Sequence, residues 1–403
     1  MLTRNRLLAG AAALVALSSV APANAQGQGP IKIGELNSYK IFAAFLEPYT
    51  KGWELAVEEV NAAGGVLGRK IEIVSRDDNG NPADAVRAAE ELLSRENVSF
   101  LIGTFPSNVG LAVADFAKQR KTLFIAAEPL TDKIVWDAGN AYTFRLRTST
   151  YMQTAMLIPD AAKLAKKRWA IVYPNYEYGQ SATAAFKKLL TAKQPGVEFV
   201  AEQAPPLGKI DAGAVAQALA DAKPDAIFSS LFGPDLAKFV REGQQRGLFK
   251  GVEVFNILAG EPEYLDPLKD EAPDGWYVTG YPWADIKTPE HTKFLTAYQA
   301  KFKDYPRLGS VVGYSTVISA AEAIKKAGSL GQEKLIAAMS GLTLTTPFGV
   351  IQYRPIDHQS TMGAYVGRLG VKDGKGIMKE WRFVDGKDAL PSDAEVLKMR
   401  PKN

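Results

Sequence analysis

The sequence has 403 residues, 46% hydrophobic and 23% charged, a balance that argues against a disordered chain or a polytopic membrane protein. Its length admits roughly two or three domains at ~100 to 200 residues each. Lys and Arg number 48 against 44 Asp and Glu, a net charge of +4 without a long basic run, which argues against nucleic acid as a partner.

The first residues read as an address. Arg4 and Arg6 form a positive start, Leu7–Val20 is uncharged and mostly apolar, and Ala23-Asn24-Ala25 has the A-x-A form of a signal-peptide cleavage site. The alternative, an uncleaved anchor, is disfavoured because the apolar stretch falls short of the ~20 residues a spanning helix needs. Export with cleavage after Ala25 is the expectation. Cysteine is absent, so the exported chain has no disulfide, lipid-modifiable thiol or Cys metal site, and its core carries stability alone.

The pattern then alternates strand and helix. Ile31–Leu36 reads as a strand, Gly52–Asn61 as a helix stopped by Gly64-Gly65, and Lys70–Val74 as a strand ending in Asp77-Asp78-Asn79-Gly80. Asn81 is placed to cap a helix with Pro82 at its first position, whose stripe is Val86, Ala89 and Leu93. Ser99–Gly103, a helix from Ser107 to Lys118, and Leu123–Ala127 complete four strands and three helices. This is a doubly wound α/β unit.

The order then repeats. Trp169–Tyr173, Val197–Val200, Ala226–Ser229 and Val252–Phe255 read as strands, with helices at Gly179–Leu190, Asp211–Ala222 and Pro234–Gln245 between them. Two α/β lobes follow, and ligands bind such lobes outside the carboxyl ends of the strands. Beyond Tyr277 come helices at Pro289–Lys303, Ser310–Ala327 and Gln332–Ser340, and a hairpin pairing Gly349–Tyr353 with Gly363–Gly367. Several crossings between lobes would form a hinge. The expected division is 1–25 signal peptide, 26–148 with 283–347 as lobe one, and 149–282 with 348–403 as lobe two.

Enzyme chemistry is poorly supported. His291 and His358 are the two histidines, with no H-E-x-x-H helix and no signalled Ser-His pair; His291 reads as a solvated first-turn residue. Gly64–Arg69 follows a helix where a phosphate cradle would precede one, so it is a helix stop. Asp77–Asn81 lacks the Gly and Glu spacing of a calcium loop and reads as a turn plus cap. No cofactor and no metal are expected.

Polar and aromatic residues gather at strand carboxyl ends. Ser107 begins a helix after the strand ending in Gly103 and is either that helix's N-cap or a hydroxyl that meets an anion at the positive helix end. Tyr151, Tyr178 and Phe232 follow strands or sit between lobes, positions open to either core or ligand wall.

The run Gly52-x5-Glu58-Glu59-Val60-Asn61-Ala62-Ala63-Gly64-Gly65-Val66-x-Gly68-Arg69, with Asp77-Asp78, Pro82, Ile102-Gly103, Ser107 and Phe144-Arg145, resembles the leucine/isoleucine/valine-binding family of type I periplasmic binding proteins. Tyr178-Gly179 and Gly313-Tyr314 extend the match over nearly all of the exported chain. The resemblance implies two Rossmann-like doubly wound α/β lobes joined by a three-segment hinge, closing on a small solute for an ABC permease at the inner membrane. It also implies a carboxylate held by Ser107 and by the backbone of Ala126, Ala127 and Glu128, with Tyr178 and Phe232 on the other lobe; Phe105, Tyr151 and Leu258 join the expected ligand set.

The family's acids for an α-ammonium fall instead on Thr150 and near Leu258, and its Ser-Pro-x-Ala-Thr stretch is replaced by Ala126–Thr131. A buried ammonium without a carboxylate partner costs several kcal/mol, which disfavours amino acids unless Glu128 or Glu261 substitutes. The expected ligand is therefore an aromatic acid of benzoate or phenylpropenoate type, with a branched-chain or other amino acid or amide as the alternative. A monomeric transport protein of the periplasm, without enzymatic activity, accommodates these features together; a ligand-sensing subunit shares them, and an exported enzyme would need a catalytic cluster that the sequence does not signal.

Overall fold

The computed structural model describes residues 29–401, so the signal-peptide reading lies outside the described residues. The first lobe opens with β1 (Ile31–Asn37), α1 (Ala43–Ala62), β2 (Ile71–Asp77), α2 (Pro82–Ser94), β3 (Leu101–Gly103), α3 (Ser107–Arg120), β4 (Phe124–Ala126) and β5 (Thr143–Arg145). Its five-stranded sheet runs β2-β1-β3-β4-β5, parallel throughout. β5 is one strand more than the sequence pattern suggested. The Asn81 carboxamide caps α2 as expected, accepting the amides of Ala83 and Asp84 at 2.9 and 3.2 Å. The buried stripe of α2 is Ala85, Ala89 and Leu92, while Val86 and Leu93 flank it half-buried.

The second lobe follows with α4 (Thr150–Lys163), β6 (Arg168–Val172), α5 (Glu177–Lys193), β7 (Glu198–Gln203), α6 (Ala212–Asp221), β8 (Ala226–Ser229), α7 (Gly233–Gln245), β9 (Glu253–Gly260), the short α8 (Pro262–Leu265) and β10 (Tyr277–Gly280). Then come α9 (Pro289–Phe302), α10 (Leu308–Ala327), α11 (Gln332–Met339), β11 (Thr343–Thr346), β12 (Gly349–Gln352), β13 (Ala364–Lys372), β14 (Lys375–Val384), α12 (Gly386–Ala389) and α13 (Asp393–Met399). The second sheet has seven strands in the order β14-β13-β10-β9-β8-β6-β7. Its β7 to β10 portion is parallel, and β13 and β14 are antiparallel additions.

α1 departs from its expected start at Gly52, beginning at Ala43 and running through Pro48. A proline forfeits one backbone hydrogen bond inside a helix. Packing outweighs that loss: Phe45, Leu46, Tyr49, Gly52, Leu55 and Ala56 are buried on one face, against α10. Contact is so close that a Cβ on Gly52 would overlap the Ser310 carbonyl, and one on Gly313 the Tyr49 carbonyl. Both glycines belonged to the family-like pattern; their work is helix packing.

The expected hairpin is corrected. Gly349–Gln352 pairs back with Thr343–Thr346, while Ala364–Lys372 pairs with Lys375–Val384 across Asp373-Gly374, both at positive φ. That Asp-Gly pair is the strongest short hairpin signal available, but the charged, alternating β14 hid its partner strand. The β11–β12 hairpin packs as one unit, with β11 against α9 and α10. A boundary at 347–348 would cut its turn, and the chain enters the second sheet only at Ala364.

Two crossings run side by side as the hinge. Arg145 donates its amide to the His358 carbonyl at 3.0 Å and accepts that of Ser360 at 2.9 Å, and the Thr148 hydroxyl donates to the Met362 carbonyl at 2.8 Å. The third passes between β10 and α9. Here His291 is fully buried, against the solvated expectation, with Nε2 2.7 Å from the Tyr281 hydroxyl. His358 stacks on Phe144 with ring centres 3.9 Å apart. Burial pushes both imidazoles down to about 4. Among the described residues no helix is long and apolar enough to cross a membrane.

Candidate binding cleft

Each parallel sheet reverses its strand order beside its first strand, β1 between β2 and β3, and β6 between β7 and β8. Crevices open at such switch points, outside the strand carboxyl ends. β3 delivers Phe105 and Ser107, β4 delivers Glu128 and Leu130, and β5 delivers Arg147. From the facing lobe β6 delivers Tyr176 and Tyr178, β8 delivers Phe232, and β9 delivers Leu258, with Tyr264 just beyond. These ten residues line one cleft.

Its walls are aromatic. Phe105 and Phe232 face each other across the lobes with ring centres 6.3 Å apart, and Tyr178 and Tyr264 stand 5.6 and 5.8 Å from Phe232. Phe42 and Phe45 back Phe105 at 4.7 and 5.1 Å. The buried Tyr178 hydroxyl lies beside that of Ser230, and neither bonds to any other protein group.

Ser107 is not the helix cap. Pro106 occupies that position, and the Ser107 hydroxyl instead accepts the Thr131 amide at 3.2 Å. Its own proton remains available for an acceptor in the cleft.

Of the charged floor, Glu128 and Glu261 were expected as candidate acids, and Arg147 and Glu263 were not. Arg147 bridges Glu128 of the first lobe and Glu261 of the second and lies over the Phe45 ring at 5.2 Å. Burial disfavours its charge, but the two carboxylates outweigh this and raise its pKa. Glu263 adds a third buried carboxyl, whose Oε1 accepts the Gly309 amide at 2.6 Å. Burial pushes Glu128 and Glu263 up to about 7 and Glu261 well above its ordinary range, Arg147 opposing in each case. Glu128 Oε1, Glu261 Oε2 and Glu263 Oε2 are buried without partners. Among the described residues no group of three or more His, Asp or Glu side chains is arranged to hold a metal.

Of the expected ligand set, Phe105, Ser107, Glu128, Tyr178, Phe232 and Leu258 meet in the cleft. Ala126 and Ala127 do not line it, because their backbone is spent on the sheet: Ala127 donates its amide to the Gly103 carbonyl at 2.9 Å and Ala126 accepts that of Leu146 at 2.9 Å. Tyr151 is a correction as well. It lies on α4 in a separate groove with Asp132, Trp136 and Lys188, edge-on to Trp136 at 5.3 Å. Thr150 is likewise diverted, donating to Asp132 at 2.7 Å.

Missed were Leu130, Arg147, Tyr176, Glu263 and Tyr264. A usable signal existed for two of them, since Glu263 and Tyr264 lie in Glu261-Pro262-Glu263-Tyr264 directly after a strand, an acidic and aromatic run at a carboxyl end.

The model of the family described as "Periplasmic binding protein" matches residues 30–375. The chain belongs to that family. A Leu/Ile/Val-binding protein homolog of Brucella suis is 26% identical, the match covering 98% of each chain. A solute-binding protein of an ABC transporter from Rhodopseudomonas palustris BisB5, solved with 3,4-dihydroxybenzoic acid, is 27% identical with a TM-score of 0.78, covering 89% of this chain and 98% of that one. Another from R. palustris HaA2, solved with p-hydroxybenzoic acid, is 25% identical with a TM-score of 0.81, covering 92% and 100%. As a family member the chain is the periplasmic substrate-binding component of an ABC transporter, taking a small molecule and working with a permease.

Proposed function

We propose that this periplasmic binding protein captures a small aromatic carboxylate between its lobes by hinge closure. The observation that carries the reading is Ser107: its hydroxyl accepts Thr131 and keeps a proton for an anion, within walls made by Phe105, Tyr176, Tyr178, Phe232 and Tyr264. Such rings take a planar apolar body at offset or edge-on geometry. The dihydroxy- and hydroxybenzoate complexes of the two Rhodopseudomonas relatives support the same class.

One observation favours a second reading. Glu128 lines the cleft with Oε1 unpartnered, and that oxygen would serve an α-ammonium, as the Leu/Ile/Val-binding relative suggests. A thermal-shift panel of benzoates, cinnamates and branched-chain amino acids separates the two. Stabilisation by the aromatic acids alone supports the first reading; stabilisation by leucine alone replaces it.

The exported chain in this reading starts after Ala25, acts as a monomer and returns its ligand chemically unchanged. Its moving bodies are the two lobes, hinged where the chain crosses at Arg145, beside His358 and Ser360, and between β10 and α9. Small-angle scattering should give a smaller radius of gyration on saturation, and an unchanged radius would contradict closure.

A further inference from the structure

We propose that the cleft takes up a proton together with its anionic ligand, lodging it among the carboxyls of Glu128, Glu261 and Glu263 that surround Arg147. The inference rests on the aromatic-carboxylate reading and deepens it.

The geometry sets an imbalance. Three carboxyls share a buried space with one guanidinium: Glu128, Glu261 and Glu263 are 1, 1 and 4% exposed and Arg147 is 4% exposed. Arg147 engages Glu128 Oε2 and Glu261 Oε1, which leaves Glu128 Oε1, Glu261 Oε2 and Glu263 Oε2 buried and unpartnered. Two ionised carboxylates already exceed the charge of Arg147, so a ligand carboxylate arriving beside them would be a further uncompensated buried anion, which is costly.

The surrounding elements add little positive charge. Facing the group are the phenols of Tyr49 on α1, Tyr178 on α5, Tyr264 on α8, Tyr281 after β10 and Tyr298 on α9, each held above its ordinary range by burial. α10 contributes the Gly309 amide to Glu263. Arg147 is the cation that acts on all three carboxyls.

A proton from solution resolves the imbalance. It bonds to a free carboxyl oxygen, the carboxylate becomes a neutral acid, and the new O–H of Glu128 can donate into the cleft that its side chain lines. With Glu128 and Glu263 at about 7, the site is part-protonated near neutrality, and a nearby anion raises its proton affinity further. Binding therefore draws in a fraction of a proton and weakens as pH rises, by up to about ten-fold per pH unit for a whole proton.

The test uses benzoate, whose carboxyl stays ionised over the range. Calorimetric titration of the mature protein in phosphate and in Tris at matched pH should give enthalpies differing by the buffer ionisation heat times a positive uptake, and Kd should rise at least about three-fold from about pH 6 to about pH 8. Glu128→Gln should reduce both effects. Benzoate binding with equal enthalpies in the two buffers and a flat pH profile would overturn proton uptake while leaving the carboxylate reading intact. Leucine binding in place of benzoate, or no binding of benzoate at any pH, would overturn both.

Discussion

The Ser107 hydroxyl accepts the Thr131 amide at 3.2 Å, so the residue placed to hold the ligand also fixes the β4–β5 loop, which reaches across to the second lobe. The Thr131 hydroxyl in turn donates to Glu177 at 2.8 Å on the opposite lobe, and Lys133 pairs with the same carboxylate at 2.9 Å. Beside them Asp132 accepts the Thr150 and Ser181 hydroxyls at 2.7 and 3.0 Å and the Tyr151 amide at 3.1 Å. This seam joins the two lobes outside the cleft lining.

Ser107→Ala should weaken binding of an aromatic carboxylate by ~1.5 to 3 kcal/mol, the scale of a hydrogen bond to a charged group. Calorimetry reads it directly. A change within error would leave Ser107 with the Thr131 brace alone.

Asp132→Ala should weaken binding about ten-fold without touching the ligand, because three hydrogen bonds of the closed seam are lost. Stopped-flow release should place the loss in the off-rate. An unchanged off-rate would mean that the seam does not hold the closed form.

Arg147→Met should destabilise the fold by ~3 to 5 kcal/mol near neutral pH, since Glu128 and Glu261 are left buried without their cation. Urea denaturation measures this. The penalty should shrink in acid: with Arg147 gone the folded carboxyls bind protons still more tightly than the unfolded ones, so stability grows as pH falls. The wild type should show the same sign more weakly. Glu128 and Glu263 hold their protons to about 7 in the fold against an ordinary 4.5, so their contribution falls as pH rises across that window and is flat above it.

Tyr151→Phe should leave ligand affinity unchanged, since its ring faces Trp136 in another groove. Tyr178→Phe should cost ~0.5 to 1.5 kcal/mol of binding if its hydroxyl meets the ligand. Parallel titrations of the two variants distinguish cleft from bystander, and equal losses would contradict that division.

The double winding was legible because apolar runs and turn residues recur at the spacing of β/α units, and Asn81-Pro82 marks its helix start unaided. Ser107, Phe105, Tyr178 and Phe232 were legible for a related reason: each follows a strand where such folds open their crevices. Arg147 was not. Its partners lie 19 and 114 positions away, and no local pattern shows that a strand end in one lobe will meet Glu261 in the other. Ala126 and Ala127 failed differently, because whether a backbone amide serves a ligand or a ladder depends on strand register, and Ala127 here is committed to Gly103. The start of α1 was not legible either: a proline is disfavoured inside a helix, and Pro48 is accommodated by a buried face that only the packed helix pair reveals.

Selection of an aromatic carboxylate over an amino acid by this cleft is read out by calorimetric titration of the mature protein with 4-hydroxybenzoate, a cinnamate and leucine. Saturable one-to-one binding of an aromatic acid, with leucine silent or much weaker, is the expected result. Tight leucine binding with no response to either aromatic acid would contradict it.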